Sequence, residues 1–175
     1  MLEREMKFLL EKEQFYMLLE QIQKGYPDTK PKEIYQTNYY YDTKDLQLFK
    51  QNITLRVRRK NGKYVIEKKE LQGYDGQIRK AIESKYPVAN LPKTINAADA
   101  ELDGDYTFYL LGQLETNRTR FTLPDGTNID FDVSKYFDET DYEVEIELGE
   151  SPPKLLIPSP CNRTSKLERF IGRLK

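Results

Sequence analysis

The feature that most limits how this chain can fold is an alternation of charged and apolar residues that recurs in segment after segment. In "LEREMKF", Glu3, Glu5 and Lys7 occupy every second position, with Leu2, Met6 and Phe8 at most positions between. Thr54, Arg56 and Arg58 alternate with Ile53, Leu55 and Val57. Arg118 and Arg120 stand opposite to Phe121, and Asp130 and Asp132 opposite to Ile129, Phe131 and Val133. Glu143, Glu145 and Glu147 alternate with Tyr142, Val144, Ile146 and Leu148. Successive strand side chains point to opposite faces, so each segment reads as a strand with one charged and one apolar face. The signs are sorted by strand: arginine pairs in the middle of the chain, carboxylates in the first and last strands.

The intervening sequence is that of a mainly β, mostly antiparallel protein with a few helices. Phe15, Leu18, Leu19 and Ile22 recur at helical spacing through about residue 24, and "GYPDTKP" ends that helix. "EIYQTNYYYDT" is a strand rich in β-favouring aromatics, and "TKDLQLFK" holds one or two helical turns. Asn61-Gly62 closes a hairpin between "NITLRVRRK" and "KYVIEKKE", because both residues take the positive φ of a tight turn readily. "QIRKAIESKYPV" is a further strand. A loop with Pro92 and Asn96 and a short helical stretch near residues 105 to 112 follow it. "LETNRTRFTL" and "TNIDFDVSKYF" form a second hairpin around "PDG", and "DYEVEIELGE" is the last strand, broken by Pro152 and Pro153. Leu167, Phe170, Ile171 and Leu174 mark a closing amphipathic helix. With no repeat or low-complexity linker, residues 1–175 are expected to form a single domain.

Composition narrows the chemistry. A formal net charge of −1 gives no global field for nucleic acid or anionic membrane, so any charge-driven function is local. The tyrosines of "NYYYDT" are expected to pack a half-buried surface rather than stack on bases, and nucleic acid is not an expected partner. The acidic start is unlike a signal peptide, and no apolar run approaches the roughly 20 residues of a membrane span; a cytoplasmic protein is expected. Cys161 is the only cysteine and histidine is absent, so a Cys/His zinc site or a histidine base cannot be built.

The charged faces have two possible settings. In an open sheet they are the solvated side, with the apolar side packed on helices. If about eight strands close on themselves, the interior is wide enough only for side chains or one small ligand, and charged faces turned inward line a narrow polar tunnel. Arginine forks and lysines match phosphate oxygens, and clustered carboxylates suit a hard divalent ion such as Mg²⁺ or Mn²⁺. A polyphosphate with its metal satisfies both.

The chain resembles the CYTH superfamily, the triphosphate tunnel metalloenzymes named for bacterial class IV adenylyl cyclase and mammalian thiamine triphosphatase. Glu3-x-Glu5-x-Lys7 is similar to the family's ExExK signature, and "QTNYYYDT", "ITLRVRRK", "FDVSKYF", "DYEVEIE" and "SKLERF" follow in the family's order. The resemblance implies an eight-stranded antiparallel β-barrel tunnel with helices packed outside. It assigns Glu3, Glu5, Asp132, Glu143 and Glu145 to metal, and Lys7, Arg56, Arg58, Lys69, Arg118, Arg120 and Lys166 to phosphate, with Lys7, Arg56, Arg58 and Glu145 carrying catalysis. Lys69 is chosen over Lys68 by register. The family's Arg-x-Glu on the fifth strand is here at best Ala81-x-Glu83, which makes Glu83 a candidate near the metal. Asn117 stands where many relatives carry a base, and Glu147 is at the tunnel or its mouth. Lys166 and Arg169 match a motif of the final helix.

These residues point to a Mg²⁺- or Mn²⁺-dependent triphosphatase acting on inorganic or organic triphosphates, as a monomer or homodimer. A class IV-type adenylyl cyclase, making cyclic AMP and pyrophosphate, is the alternative. A non-catalytic polyphosphate or nucleotide binding module ranks third, because a pure anion binder gains nothing from carboxylates that repel its ligand.

Overall fold

The computed structural model describes residues 1–148 and 162–174. Among these, nine strands lie in one antiparallel sheet: β1 (Leu2–Leu10), β2 (Lys32–Asp42), β3 (Ile53–Lys60), β4 (Lys63–Asp75), β5 (Ile78–Val88), β6 (Thr94–Asn96), β7 (Thr107–Thr122), β8 (Asn128–Tyr136) and β9 (Glu139–Glu147). Their order is β2-β3-β4-β5-β1-β9-β8-β7-β6, and a further β2–β7 pairing closes eight of them into a barrel. Only β6 stays outside the ring, as a short extension beside the start of β7. Closure leaves β2 and β7 no free edge, and an open sheet is thereby excluded.

The hairpin between β3 and β4 turns on Asn61 and Gly62, at φ of 51° and 72°, the two positive angles that a tight primed turn demands. The stretch expected to be helical near residues 105 to 112 is instead the first half of β7. Tyr106-Thr107-Phe108-Tyr109 is β-favouring, and Thr107, Phe108 and Tyr109 pair in register with β6, with β2 beside Tyr109. The helical turn lies earlier, a 3-10 turn at Ala98–Ala100. The break at Pro152 and Pro153 lies outside the described residues.

The outward faces of the barrel are apolar, as the alternation requires, and are covered in two places. Helix α1 (Lys12–Gly25) lays Phe15, Leu18 and Ile22 on Phe8, Phe121, Phe131, Val144 and Ile146. On the far side, Leu48 of the single turn α2 (Gln47–Lys50) and residues around β6 cover Tyr41, Leu55, Val57 and Ile66. No helix among the described residues is long and apolar enough to cross a membrane.

Helix α3 (Lys166–Ile171) does a different job. Its Leu167 and Phe170 pack on Tyr40, Leu114 and Tyr136, which share the inward face of β2, β7 and β8 with the charged residues. The helix therefore stops one end of the barrel from within. A capping box between Ser165 and Glu168 starts it, and Gly112 makes room for it: a Cβ there would stand 2.7 Å from Phe170 Cζ.

Candidate active site in the barrel interior

With one end stopped, the interior is a cavity of about 230 Å³ lined almost wholly by charged and polar groups. The period of two delivers them. From β1 come Glu3, Glu5 and Lys7; from β3, Thr54, Arg56, Arg58 and Lys60; from β7, Arg118 and Arg120; from β9, Glu145 and Glu147. The register then decides which of them meet.

One group forms where β7, β8, β9 and α3 converge. Arg118 grips Asp132 with a two-pronged pair of 2.7 Å hydrogen bonds, reaches Glu145 at 2.8 Å, and its other nitrogen holds Asp130 at 2.7 Å. Oxygen atoms of Asp132, Glu143 and Glu145 lie within 4.8 Å of one another. Lys166 Nζ sits among them, 2.9 Å from Asp132 and paired with both glutamates, while Arg169 caps Glu143 at 2.8 Å and Asp141 at 2.7 Å. Burial pushes the Asp132 and Glu145 carboxyls up, but the neighbouring cations more than offset it: Arg118 and Lys166 hold Asp132 below its ordinary range, and Lys166, Lys7 and Arg118 hold Glu145 well below.

A second group forms across β1, β4 and β5. Lys69 reaches Glu3 and, at 3.1 Å, Glu5; Arg79 donates to Glu5 at 2.9 Å. Glu5 is buried, yet Lys7 and Lys69 bring it down to about 2, whereas Glu3 is pushed up, by burial first, with Lys69 countering in part. Lys7, 3.3 Å from Glu5 and 3.6 Å from Glu145, links the two groups. Opposite them, Arg56 pairs with Glu67 at 2.7 Å, and Arg58 contacts Asn38 at 3.0 Å and Glu67 at 3.5 Å. Burial and its neighbour Arg56 lower Arg58 to about 10, with Glu67 countering in part.

The residues singled out from the sequence are thus gathered in one interior. Lys69 faces it, whereas Lys68 points outward and donates to the Glu101 carbonyl at 3.1 Å. Arg120 stands nearer the open end, two-pronged on Asp130, with Glu147 at 3.8 Å. Glu83 keeps company with Arg56 and Lys85 rather than with the Asp132 group. Asn117 is exposed on the outer face, so the base of β7 that enters the barrel is its neighbour Arg118. Sequence reasoning missed Glu67, Arg79 and Lys85. The signal was available for the first, since Glu67 is two positions before Lys69 and must share its face. Tyr40 was missed as well: it is wholly buried, lines the cavity, and its hydroxyl has no hydrogen-bond partner among the described residues.

Residues 1–153 match the family model of the CYTH domain. The chain belongs to the CYTH family. It is 30% identical over 158 residues to "Putative triphosphatase YjbK" of Bacillus subtilis (strain 168), a match covering 85% of this chain and 78% of that protein. Among solved structures, HpAC1 from Hippeastrum, a "putative adenylyl cyclase" described as having a dominant triphosphatase activity, gives a TM-score of 0.74. That match covers 97% of this chain and 95% of that one, and at 20% identity it shows the fold. A "putative adenylate cyclase" from Bacillus halodurans gives a TM-score of 0.60 at 26% identity, covering 84% of this chain and 80% of that one.

Proposed function

We propose that this CYTH protein is a metal-dependent triphosphatase that binds the phosphate chain of its substrate inside the barrel. The observation that carries this reading is the facing of arginine forks from β3 and β7 against carboxylates from β1, β8 and β9 in one closed-ended polar interior. Arg56, Arg58, Arg118, Arg120, Lys7 and Lys69 supply donors to phosphate oxygens.

Asp132, Glu143 and Glu145 fit a hard divalent ion: all their donors are oxygens, and three of these lie within 4.8 Å of one another. These residues would hold Mg²⁺ or Mn²⁺, with Glu3 and Glu5 farther along the same wall, and the ion supplies Lewis-acid stabilisation of charge developing on the phosphates. Glu145 stays ionised throughout the neutral range. Its carboxylate is proposed to orient the attacking water as a hydrogen-bond acceptor. The surrounding arginines are fixed by ion pairs before substrate arrives, which is the preorganisation that phosphoryl transfer chiefly needs.

The open end favours phosphohydrolysis over cyclisation. Lys60, Lys85, Arg120, Asn128 and Glu147 line it, and among the described residues the one aromatic lining the cavity, Tyr40, lies at the stopped end beside Phe170. A cyclase must hold adenine and ribose closely enough to aim a hydroxyl at the α-phosphorus; among the described residues Met1 and Ile34 are the apolar side chains lining the cavity away from the stopped end, and no aromatic ring stands there to stack on a base. The whole chain, residues 1–175, is proposed to act as one cytoplasmic domain, monomeric or homodimeric.

Inorganic triphosphate, ATP and thiamine triphosphate, each with Mg²⁺ or Mn²⁺ and with product identification, test the reading. Inorganic triphosphate should be hydrolysed at least as efficiently as ATP, ATP should yield ADP or AMP, and EDTA should abolish turnover. Cyclic AMP with pyrophosphate as the main products, or full activity in excess EDTA, would overturn it.

A further inference from the structure

Lys166 stands where three carboxylates of the interior converge. Its Nζ lies 2.9 Å from Asp132 Oδ2 and pairs with Glu143 Oε1 and Glu145 Oε1, and these three residues are the ones whose oxygens gather within 4.8 Å. A hard dication draws oxygen ligands to about 2.0–2.6 Å. On these carboxylates it would take the space the ammonium fills, and two cations with the same oxygen partners repel at that range.

We propose that Lys166 is an internal competitor of the metal: its ammonium and the dication alternate on Asp132, Glu143 and Glu145, and entry of the dication turns Lys166 into the cavity as a phosphate ligand. The inference rests on the metal-dependent reading above and adds an order of binding to it. The exchange needs only a side-chain swing. Lys166 is the first residue of α3, its stem is flexible, and the helix is held independently by Leu167, Phe170 and the Arg169 pairs with Asp141 and Glu143. Lys166 also lines the cavity, so a released ammonium meets bound phosphate without crossing bulk solvent. Arg118 and Arg169 keep their own carboxylate contacts through the exchange, and a doubly charged ion in place of the ammonium raises the charge on the three carboxylates by one, which the incoming phosphate chain offsets. Metal and triphosphate then bind with positive coupling: the first frees a donor for the second, and by linkage the second favours the first.

Mn²⁺ titrations followed by electron paramagnetic resonance on wild type, Lys166→Met and Lys7→Met test this without turnover. Lys7, 3.6 Å from Glu145 but outside the three-carboxylate group, controls for a general loss of positive charge. Lys166→Met should bind Mn²⁺ about tenfold or more tightly than wild type, within the usual range of coupling between sites, and Lys7→Met should change far less. Thermal melts guard against a folding artefact: Lys166→Met should melt lower than wild type in EDTA, and Mn²⁺ should raise its midpoint by more than it raises that of wild type. Equal affinities in wild type and Lys166→Met, or equal gains in both variants, would overturn the competition alone. Absence of Mn²⁺ binding in all three would remove the metal reading beneath it.

Discussion

Arg118→Met is the most revealing single change, because the methionine keeps most of the volume while removing the charge and the N–H donors together. Arg118 holds Asp132, which is fully buried, together with Asp130 and Glu145. Its loss leaves three carboxylates facing one another, with Lys166 and Arg120 as their nearest remaining cations. Removing one partner of a buried pair costs about 3–5 kcal/mol, because the remaining charge stays desolvated. In a domain of this size 1 kcal/mol moves the melting temperature by about 2–4 °C, so the midpoint should drop by roughly 6–20 °C at neutral pH. The exposed pair Lys24–Glu20 on α1 is the internal reference; Lys24→Ala should leave the midpoint nearly unchanged, because water already screens a surface pair. The loss also has a pH signature. Arg118 helps hold Asp132 and Glu145 below their ordinary 3.8 and 4.5, so its stabilisation is present above those values and fades as pH falls below them. The gap between wild type and Arg118→Met should therefore narrow in acid. Differential scanning calorimetry at pH 7 and pH 3 makes the comparison. An Arg118→Met loss no larger than that of Lys24→Ala would mean that the guanidinium is solvated and the closed interior wrong.

Glu5 and Glu67 are both brought down to about 2, so they add stability above the ordinary 4.5 that disappears as pH falls from there toward 2; Glu67→Gln should flatten that part of a melting-temperature profile. Gly112→Ala should cost about 1–3 kcal/mol by overpacking against Phe170, and Phe170→Leu in the same chain should recover part of it in urea denaturation. Arg58→Ala should weaken binding of inorganic triphosphate by about 1.5–3 kcal/mol in isothermal titration, the worth of a hydrogen bond to a charged group. Arg59→Ala, one position on and outside the barrel, should leave binding unchanged. Lys69→Ala should weaken it too, while Lys68→Ala, whose ammonium holds Glu101 on the outer surface, should not.

What the chain determined by itself is whatever depends on neighbours one and two positions away. The alternation of Arg56 and Arg58 with Leu55 and Val57 decides that arginines share a face, because a strand has a period of two and no other. The same rule singles out Glu143, Glu145 and Glu147, and Asn61-Gly62 closes its hairpin through its own backbone preferences. Sorting of sign by strand went further, since it called for a polyanion with a cation before any pairing was known. Local rules failed where a residue's setting is made by distant chain. "YTFYLLGQL" does not alternate, and only β2 on one side and β6 on the other make it a strand. Arg79 enters the site because Glu5 is its register partner 74 residues away, a pairing that no local pattern encodes. The amphipathic face of α3 announced a buried helix, but an apolar stripe fits the outer wall of a barrel as well as its stopped end. Only closure of β2 on β7, which places Tyr40, Leu114 and Tyr136 on the inner wall, chose the inside. That choice also carries Lys166 to the carboxylates of β8 and β9. A lysine at a helix start is ordinarily solvated, and it becomes part of a site here because the helix it begins is the stopper of the barrel.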